Sequence, residues 1–359
     1  MRFDMPSKQR QTEPEEATRK KLGKPANIRA VAAAAGVSTA TVSRALSSPE
    51  RLGADTLERV QAAIQRLQYT PNVQAQNMRT SQTRLIIALV PDIASPFFSE
   101  IVRGIERIAH RNDYSVLLGD TEFDEQREQR YAKLVTSRQA DGLITMLPHI
   151  PSVFAEGRAP IVNACECVDD PSITSVSVDN FRGACAAMEY LIALGHRRIA
   201  YIGGPESSSA NKEREAAYVH SIAGAGEVAD PDLIVRGDYS VDSGTAALGA
   251  LFAKQKQFTA VFCANDEMAL GAINAIKQRG LQVPKDISVI GFDDIKFARH
   301  FDPPLTTVAQ PASDIGMEAA RLLIEILSGS NPPPQKRVYP AHLIVRASTG
   351  PAPAAAPPG

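Results

Sequence analysis

A small all-α headpiece built on a helix-turn-helix, followed by an α/β core of two doubly wound parallel-sheet lobes, is the architecture this 359-residue chain predicts. Three observations predict it. Residues 27–46, NIRAVAAAAGVSTATVSRAL, read as two short helices around one glycine. From Arg84 onward, short apolar runs alternate with amphipathic helical segments, in two successive series. Charge divides at the same place. Residues 1–84 carry 14 Lys and Arg against 7 Asp and Glu (+7), and the remaining 275 carry 25 against 33 (−8). A basic head on an acidic body is expected of a nucleic-acid module joined to something else.

Residues 1–25 are charged, Gln-, Glu- and Lys-rich, and read as a disordered arm. The headpiece spans 26–71. Asn27 stands at an N-cap, and Ile28, Val31, Ala32 and Ala35 share one helical face. Gly36 ends that helix where a positive φ carries no Cβ penalty. Ser38 caps a second helix, Thr39 to Leu46, whose inward face is Val42, Ala45 and Leu46. Thr39, Ala40 and Arg44 point elsewhere. Two helices crossing steeply need a small contact residue, a need Ala32 fits, with Val42 filling the wedge. Leu57, Val60, Ile64 and Leu67 give a third helix, Ala54 to Tyr69, its apolar stripe. Thr70-Pro71-Asn72 breaks that helix. Residues 72–83 are too polar and short for an isolated helix, so they form a linker or a segment that folds on binding.

The core spans 84–349. LIIALV (85–90) has the continuous apolar texture of a strand buried on both faces. The next helix sets Phe97, Ile101, Ile105 and Ile108 on one side. Strands at 115–118, 142–146, 161–164 and 175–178 follow, with a helix near 125–138. A second series has helices at 180–194, from about 211, at 242–254 and at 266–279. Its strands are 199–204, 233–235, 260–264 and 288–292. The helix at 312–328 and the segment 337–347 cross back, one element to each lobe. The expected N-lobe is therefore about 84–178 plus 310–335, and the C-lobe about 179–309 plus 336–349. Residues 350–359, GPAPAAAPPG, read as a disordered tail. Such lobes make a hinged clam-shell whose strand ends face the cleft. Candidate ligand groups then lie just past each strand: Asp92 to Phe98, Asp120, Glu166, Asn265-Asp266 and Asp293-Asp294.

Nothing assembles into a catalytic set. The chain has no G-x-S-x-G, H-E-x-x-H or G-x-G-x-x-G, and the glycine-rich IGGPESSS (202–209) suits a strand-to-helix turn better than a phosphate cradle. Cys165 and Cys167 form C-x-C without a second pair or close histidine, so free thiols are expected and no metal or cofactor. His196 follows a helix-ending glycine, where a cation near the dipole is ordinary. Of Asp293 and Asp294, one is expected in the cleft and one capping the next helix. Phe97 and Phe98 are open between core packing and stacking on a flat ligand ring. Arg214 is open between solvated surface and hydroxyl or phosphate binding. With no apolar h-region and no apolar run of about 18 residues, neither a signal peptide nor a membrane span is expected, and the location is cytoplasmic.

VAAAAGVSTATVSRAL, TLERVQAAIQRLQYTPN, FCANDEMALGA, VPKDISVIGFDD and PPLTTVAQP together resemble the lactose/galactose repressor family of bacterial transcription regulators, from about Asn27 to Thr349. The resemblance implies a homodimer with a hinge helix at 72–83 and a core of periplasmic-binding-protein type. It implies a repressor of palindromic double-stranded DNA operators, controlled by a small molecule in the cleft. Thr39, Ala40 and Arg44 would face the major groove, with Ser38, Thr41, Ser43 and Asn72 positioning the head on phosphates. Met78 stands where the family usually has a leucine lever for the minor groove. Pocket positions fall on Phe97, Phe98, Glu166, Arg214, Asn265, Asp293 and Gln310. Ala217 departs from the family's usual glycine. DIASPFFSEIVRGIE and YSVLLGD look most like cytidine-responsive members, so a nucleoside such as cytidine is the expected effector and a sugar the alternative. The sequence leaves open whether a second transcription regulator binds alongside. No heptad tail follows residue 349, so a dimer rather than a tetramer is expected.

Overall fold

Side-chain capping sets the first two helices of the computed structural model, which describes residues 26–70, 82–154, 159–166, 168, 170–330 and 332–354. The arm and most of the hinge, with Asn72 and Met78, lie outside the described residues. In α1 (Ile28–Ala35) the Asn27 side chain accepts from the Ala30 N–H at 3.0 Å. Its C-terminus closes on Gly36 at φ 66°, with the Gly36 N–H donating to Ala33 O and the Val37 N–H to Ala32 O, a Schellman arrangement. Arg59 adds a bond to Ala35 O. Ser38 caps α2 (Thr39–Ser47) by accepting from the Thr41 N–H. Val31, Ala32, Ala35 and Val42 are buried with Val60 and Ala63 of α3 (Ala54–Leu67). Leu57, by contrast, is only half-buried.

The chain divides into two compact units between residues 81 and 82. Thr83 and Arg84 already belong to the second unit, because their backbone N–H groups donate to the Asp141 carboxylate. That unit holds two six-stranded sheets. In the first lobe, β1 (Leu85–Val90) lies between β2 (Ser115–Asp120) and β3 (Gly142–Thr145), followed outward by β4 (Ile161–Ala164), β5 (Thr174–Val178) and β11 (Lys336–Tyr339). All of these pairs are parallel. The second sheet runs β12 (His342–Ile344), β10 (Thr306–Ala309), β9 (Ser288–Asp293), β8 (Ala260–Cys263), β6 (Ile199–Gly203), β7 (Ile234–Arg236). Only the β10–β12 pair is antiparallel among the described strands. Helices α4 (Pro96–Arg111), α5 (Glu125–Thr136) and α10 (Ala312–Glu325) pack on the first sheet. Helices α6 (Asn180–Ala193), α7 (Ser209–Gly224), α8 (Val241–Ala253) and α9 (Asp266–Gln278) pack on the second. The continuous apolar strands are buried on both faces for that reason.

Two expectations need correction. Strand β11 pairs with β5, so residues 336–339 complete the first sheet and the last crossing lies at 340–341, not at 335–336. A short exposed strand carries little apolar signal, and its pairing is set by the crossover. The C-terminal segment is also packed further than expected. The Gly350 N–H donates to Ser288 Oγ, and the Ala352 N–H donates to Leu194 O.

That segment explains His196. The side chain is buried rather than solvated at a helix end. Its Nε2–H donates to Gly350 O at 3.0 Å, and its Nδ1 accepts from Thr259 Oγ1 at 2.8 Å. Burial pushes the imidazole pKa below its ordinary 6.5, so the folded protein holds it neutral. The unfolded chain then takes up the proton first as pH falls, and stability drains away below about pH 6.5, by at most about 1.4 kcal/mol per pH unit. Between pH 7 and 5.5 the melting temperature of the native chain is expected to fall more steeply than that of His196→Gln. Parallel slopes would contradict this assignment.

Candidate functional site

On the headpiece, the first turn of α2 is uncovered. Ser38, Thr39, Ala40 and Arg44 are exposed, Thr41 and Ser43 are half-buried, and Val42 alone of this helix is fully buried. Ser38 Oγ serves the backbone cap and lies 3.0 Å from Thr41 Oγ1. Thr39, Ala40 and Arg44 therefore present one continuous face that the head's own core does not use.

In the core, the carboxyl ends of the two sheets face each other across a cavity of about 380 Å³. The seven residues singled out in the sequence, Phe97, Phe98, Glu166, Arg214, Asn265, Asp293 and Gln310, all line it. Their commitments differ. Arg214, on the second turn of α7, is buried, not solvated. Its Nε–H donates to Asn180 Oδ1 at 2.9 Å, and an Nη1–H donates to Ala264 O. The guanidinium lies over the Phe292 ring, 3.8 Å from the centroid, and 3.9 Å from Asp293 Oδ1. Asp293 ends β9 with φ 113°, a left-handed backbone that aspartate tolerates better than most residues and that aims its carboxyl into the cavity. Gln310 Nε2–H donates to Asp293 Oδ1 at 2.6 Å. Burial raises the Asp293 pKa to about 7, against the opposing pull of Arg214 and Gln310.

Asp294 caps no helix, contrary to expectation. It accepts from Arg346 at 2.6 Å, an ion pair between the β9 end and the C-terminal segment. Asn265 caps α9 through the Met268 N–H, and its amide donates to Tyr239 O at 2.8 Å, so its work is largely structural. Asp266 is wholly buried and accepts from Thr307 and from the Ile295 N–H, away from the cavity. Asp120 accepts from the Ile93 N–H and does not line the cavity. Phe97 takes part in core packing and also reaches the cavity. It packs against the cores of both lobes and lines the cavity, with its ring centroid 5.5 Å from that of Phe98. Ala217 is buried in the second lobe's core, and α7 runs through it unbroken.

Glu166 joins the lobes. It follows β4 of the first lobe, and its carboxylate accepts at the start of α7 in the second. The donors are Ser208 Oγ (2.8 Å), the Ser209 N–H (3.0 Å), Ser209 Oγ (2.6 Å) and the Ala210 N–H (3.2 Å). A carboxylate suits a helix N-terminus, where unpaired N–H groups and the dipole favour negative charge. Since Ser208 gives its one proton to Glu166, the Tyr239 O–H is the donor in their 3.0 Å contact. Tyr239 occupies its position because Gly204 leaves room. A Cβ on Gly204 would meet the Tyr239 ring at 2.3 Å, which gives the glycine-rich turn after β6 a packing reason.

Tyr239, Ser208, Glu267 and Phe123 line the cavity but were not singled out from the sequence. Glu267 was within reach, since it stands one residue past Asn265-Asp266. Tyr239 follows a three-residue strand too short to mark its end clearly. Among the described residues no cluster of His, Cys, Asp or Glu has metal-binding geometry. Cys165, Cys185 and Cys263 are free thiols, and Cys167 lies outside the described residues. No helix of the described residues is long and apolar enough to cross a membrane.

The geometry agrees with known proteins. Residues 27–72 match the description "Bacterial regulatory proteins, lacI family", and residues 188–349 match the periplasmic binding protein-like domain. The chain is 40% identical over 334 residues to the HTH-type transcriptional repressor CytR of Escherichia coli K12, covering 92% of this chain and 98% of that protein. It is 34% identical to the HTH-type transcriptional repressor PurR of Erwinia tasmaniensis, covering 91% and 98%. A crystal structure of the lac repressor dimer bound to operator and the anti-inducer ONPF superposes with a TM-score of 0.81 at 30% identity, covering 91% of this chain and 100% of that one.

Removing the clasp tests its weight. Glu166→Ala should leave the core folded while costing about 1–3 kcal/mol locally, the scale of charge-assisted hydrogen bonds. Amide exchange at Ser209 and Ala210 is then expected to rise at least tenfold, measured by hydrogen exchange with mass spectrometry. Unchanged protection there would show that α7's first turn does not depend on Glu166.

Proposed function

The chain belongs to the lacI family of bacterial regulatory proteins, and we propose that this transcriptional repressor binds a palindromic operator as a homodimer under the control of a nucleoside, cytidine foremost, held between its core lobes. One observation carries the reading: an uncovered recognition face in a basic head shares the chain with a two-lobed cavity that sets an aromatic pair beside a buried Arg–Asp pair. Arg44 suits a bidentate bond to guanine, and Thr39 and Ala40 suit thymine methyls or a permissive step. Ser38, Thr41, Ser43 and Asn72 hold the head on phosphates, and Met78 enters the minor groove at the centre of the site.

In the cavity, Arg214 and Asp293 bind the hydroxyls of the ribose, and Gln310 fixes the Asp293 carboxyl. Phe97 and Phe98 offer a face for the base. Glu166 and Asn265 hold the walls in place. Ligand binding changes the angle between lobes, and in the dimer that change reaches the 72–83 hinges. A coupling of about 1–3 kcal/mol gives regulation of roughly 5- to 150-fold. The repressor acts in the cytoplasm, where its operator lies.

Two measurements check this. In a selection from random duplexes at moderate salt, the native protein should enrich a palindromic site. Arg44→Ala should lose about 1–3 kcal/mol per half-site and tolerate other bases at the position Arg44 reads. Enrichment of no palindrome contradicts the DNA half. Calorimetric titration with a panel of nucleosides and sugars should show cytidine binding with micromolar or better affinity. A panel in which only pentoses or hexoses bind contradicts the nucleoside half.

A further inference from the structure

Five carboxyl side chains line the cavity: Asp92, Glu166, Asp238, Glu267 and Asp293. Four are occupied. Asp92 accepts from the Ala94 N–H, Asp238 from the Ser240 N–H, Asp293 from Gln310, and Glu166 from the start of α7. Glu267, in the first turn of α9, is half-buried and has no hydrogen-bond or ion-pair partner among the described residues. A partly desolvated polar group without a partner is costly, which suits a group that a ligand completes.

We propose that Glu267 reads the polar edge of the ligand's ring, as a neutral acid whose O–H donates to a ring nitrogen while its carbonyl oxygen accepts from an adjacent exocyclic amine. This rests on the nucleoside reading above and sharpens it to bases with a ring nitrogen beside an amine, as in cytosine. The other polar groups that the second lobe turns to the cavity support it. Arg214 and Asp293 take up hydroxyls, and neither offers an unused donor–acceptor pair for a base edge. The electrostatics favour a protonated Glu267. Burial, then the charges of Asp293 at the end of β9 and Asp92 after β1, raise its pKa to about 7. Among the described residues no cation offsets them at Glu267, and Arg214 is turned to Asp293, Asn180 and Ala264. A neutral carboxyl supplies one donor and one acceptor, as does a glutamine amide, whereas a carboxylate only accepts.

The test uses full-length protein and its Glu267→Gln and Glu267→Leu variants, each shown to be folded by its melting curve. Cytidine and pyrimidin-2-one riboside, which lacks the amine, are titrated by calorimetry from pH 6 to 8.5. The bound ligand keeps the proton on Glu267, so native affinity for cytidine is expected to be flat below about pH 7 and to fall toward tenfold per pH unit above it. Glu267→Gln should bind within about threefold of native at pH 6 and lose the pH dependence. Glu267→Leu should bind about 10- to 100-fold more weakly. The native preference for cytidine over the amine-free riboside, tenfold or more, should vanish in Glu267→Leu. A pH dependence that persists in Glu267→Gln assigns the proton to Asp293 and overturns the proposal. So does cytidine binding by Glu267→Leu within threefold of native, and in both cases the nucleoside reading stands. Failure of every nucleoside to bind the native protein overturns both together.

Discussion

The core depends on keeping one guanidinium dry. Arg214 is buried between the two sheets' carboxyl ends, and a lone buried cation would cost several kcal/mol. Three groups from three elements offset that cost: Asn180 at the start of α6, Ala264 O after β8, and Asp293 at the end of β9. Phe292 supplies the face beneath it. Asp293 is in turn held by Gln310, which lies where the chain crosses from β10 to α10 and so from the second lobe to the first. The polar floor of the cavity is thus tied to a crossing, and what binds there acts on the joint between lobes as well as on a pocket.

Glu166 works on the same joint from the other side. Its carboxylate closes the first lobe onto the second by filling the start of α7. Arg214 sits one turn further along that helix. A ligand between the lobes therefore meets a helix already anchored at its first turn by one lobe and at its second by the other. The helix is thus tied to both lobes within its first two turns.

Much of this was legible in the sequence. The head follows from Asn27, Gly36, Ser38 and the apolar positions they bracket, since caps and periodicity are local properties. Most strands of both lobes are legible because burial on two faces leaves short apolar runs, but β10 is not, since two threonines interrupt its apolar character. Crossings are harder. Residues 336–339 are almost wholly exposed and carry no alternation, so only pairing with β5 shows which sheet they join. In the cavity, the rule that ligand groups follow strand ends brought Phe97, Phe98, Glu166, Asn265 and Asp293 to one place, the family resemblance added Arg214 and Gln310, and Asp120 and Asp266 stand apart. The rule did not show that Asn265 caps a helix, and it stopped one residue short of the unpaired Glu267. The second bond of Asn265, to Tyr239 O, is made 26 residues away and leaves no local mark. His196 and Gly350, 154 residues apart, are another such pair.

Regulation as proposed couples operator binding by the head to nucleoside binding by the core. The most direct measurement is the affinity of the full-length protein for its selected palindrome, by fluorescence anisotropy at fixed salt, with and without saturating cytidine. The expected change is about 5- to 150-fold, and linkage then requires a change by the same factor in cytidine affinity with and without DNA. Operator affinity that stays within twofold at saturating cytidine would contradict the account.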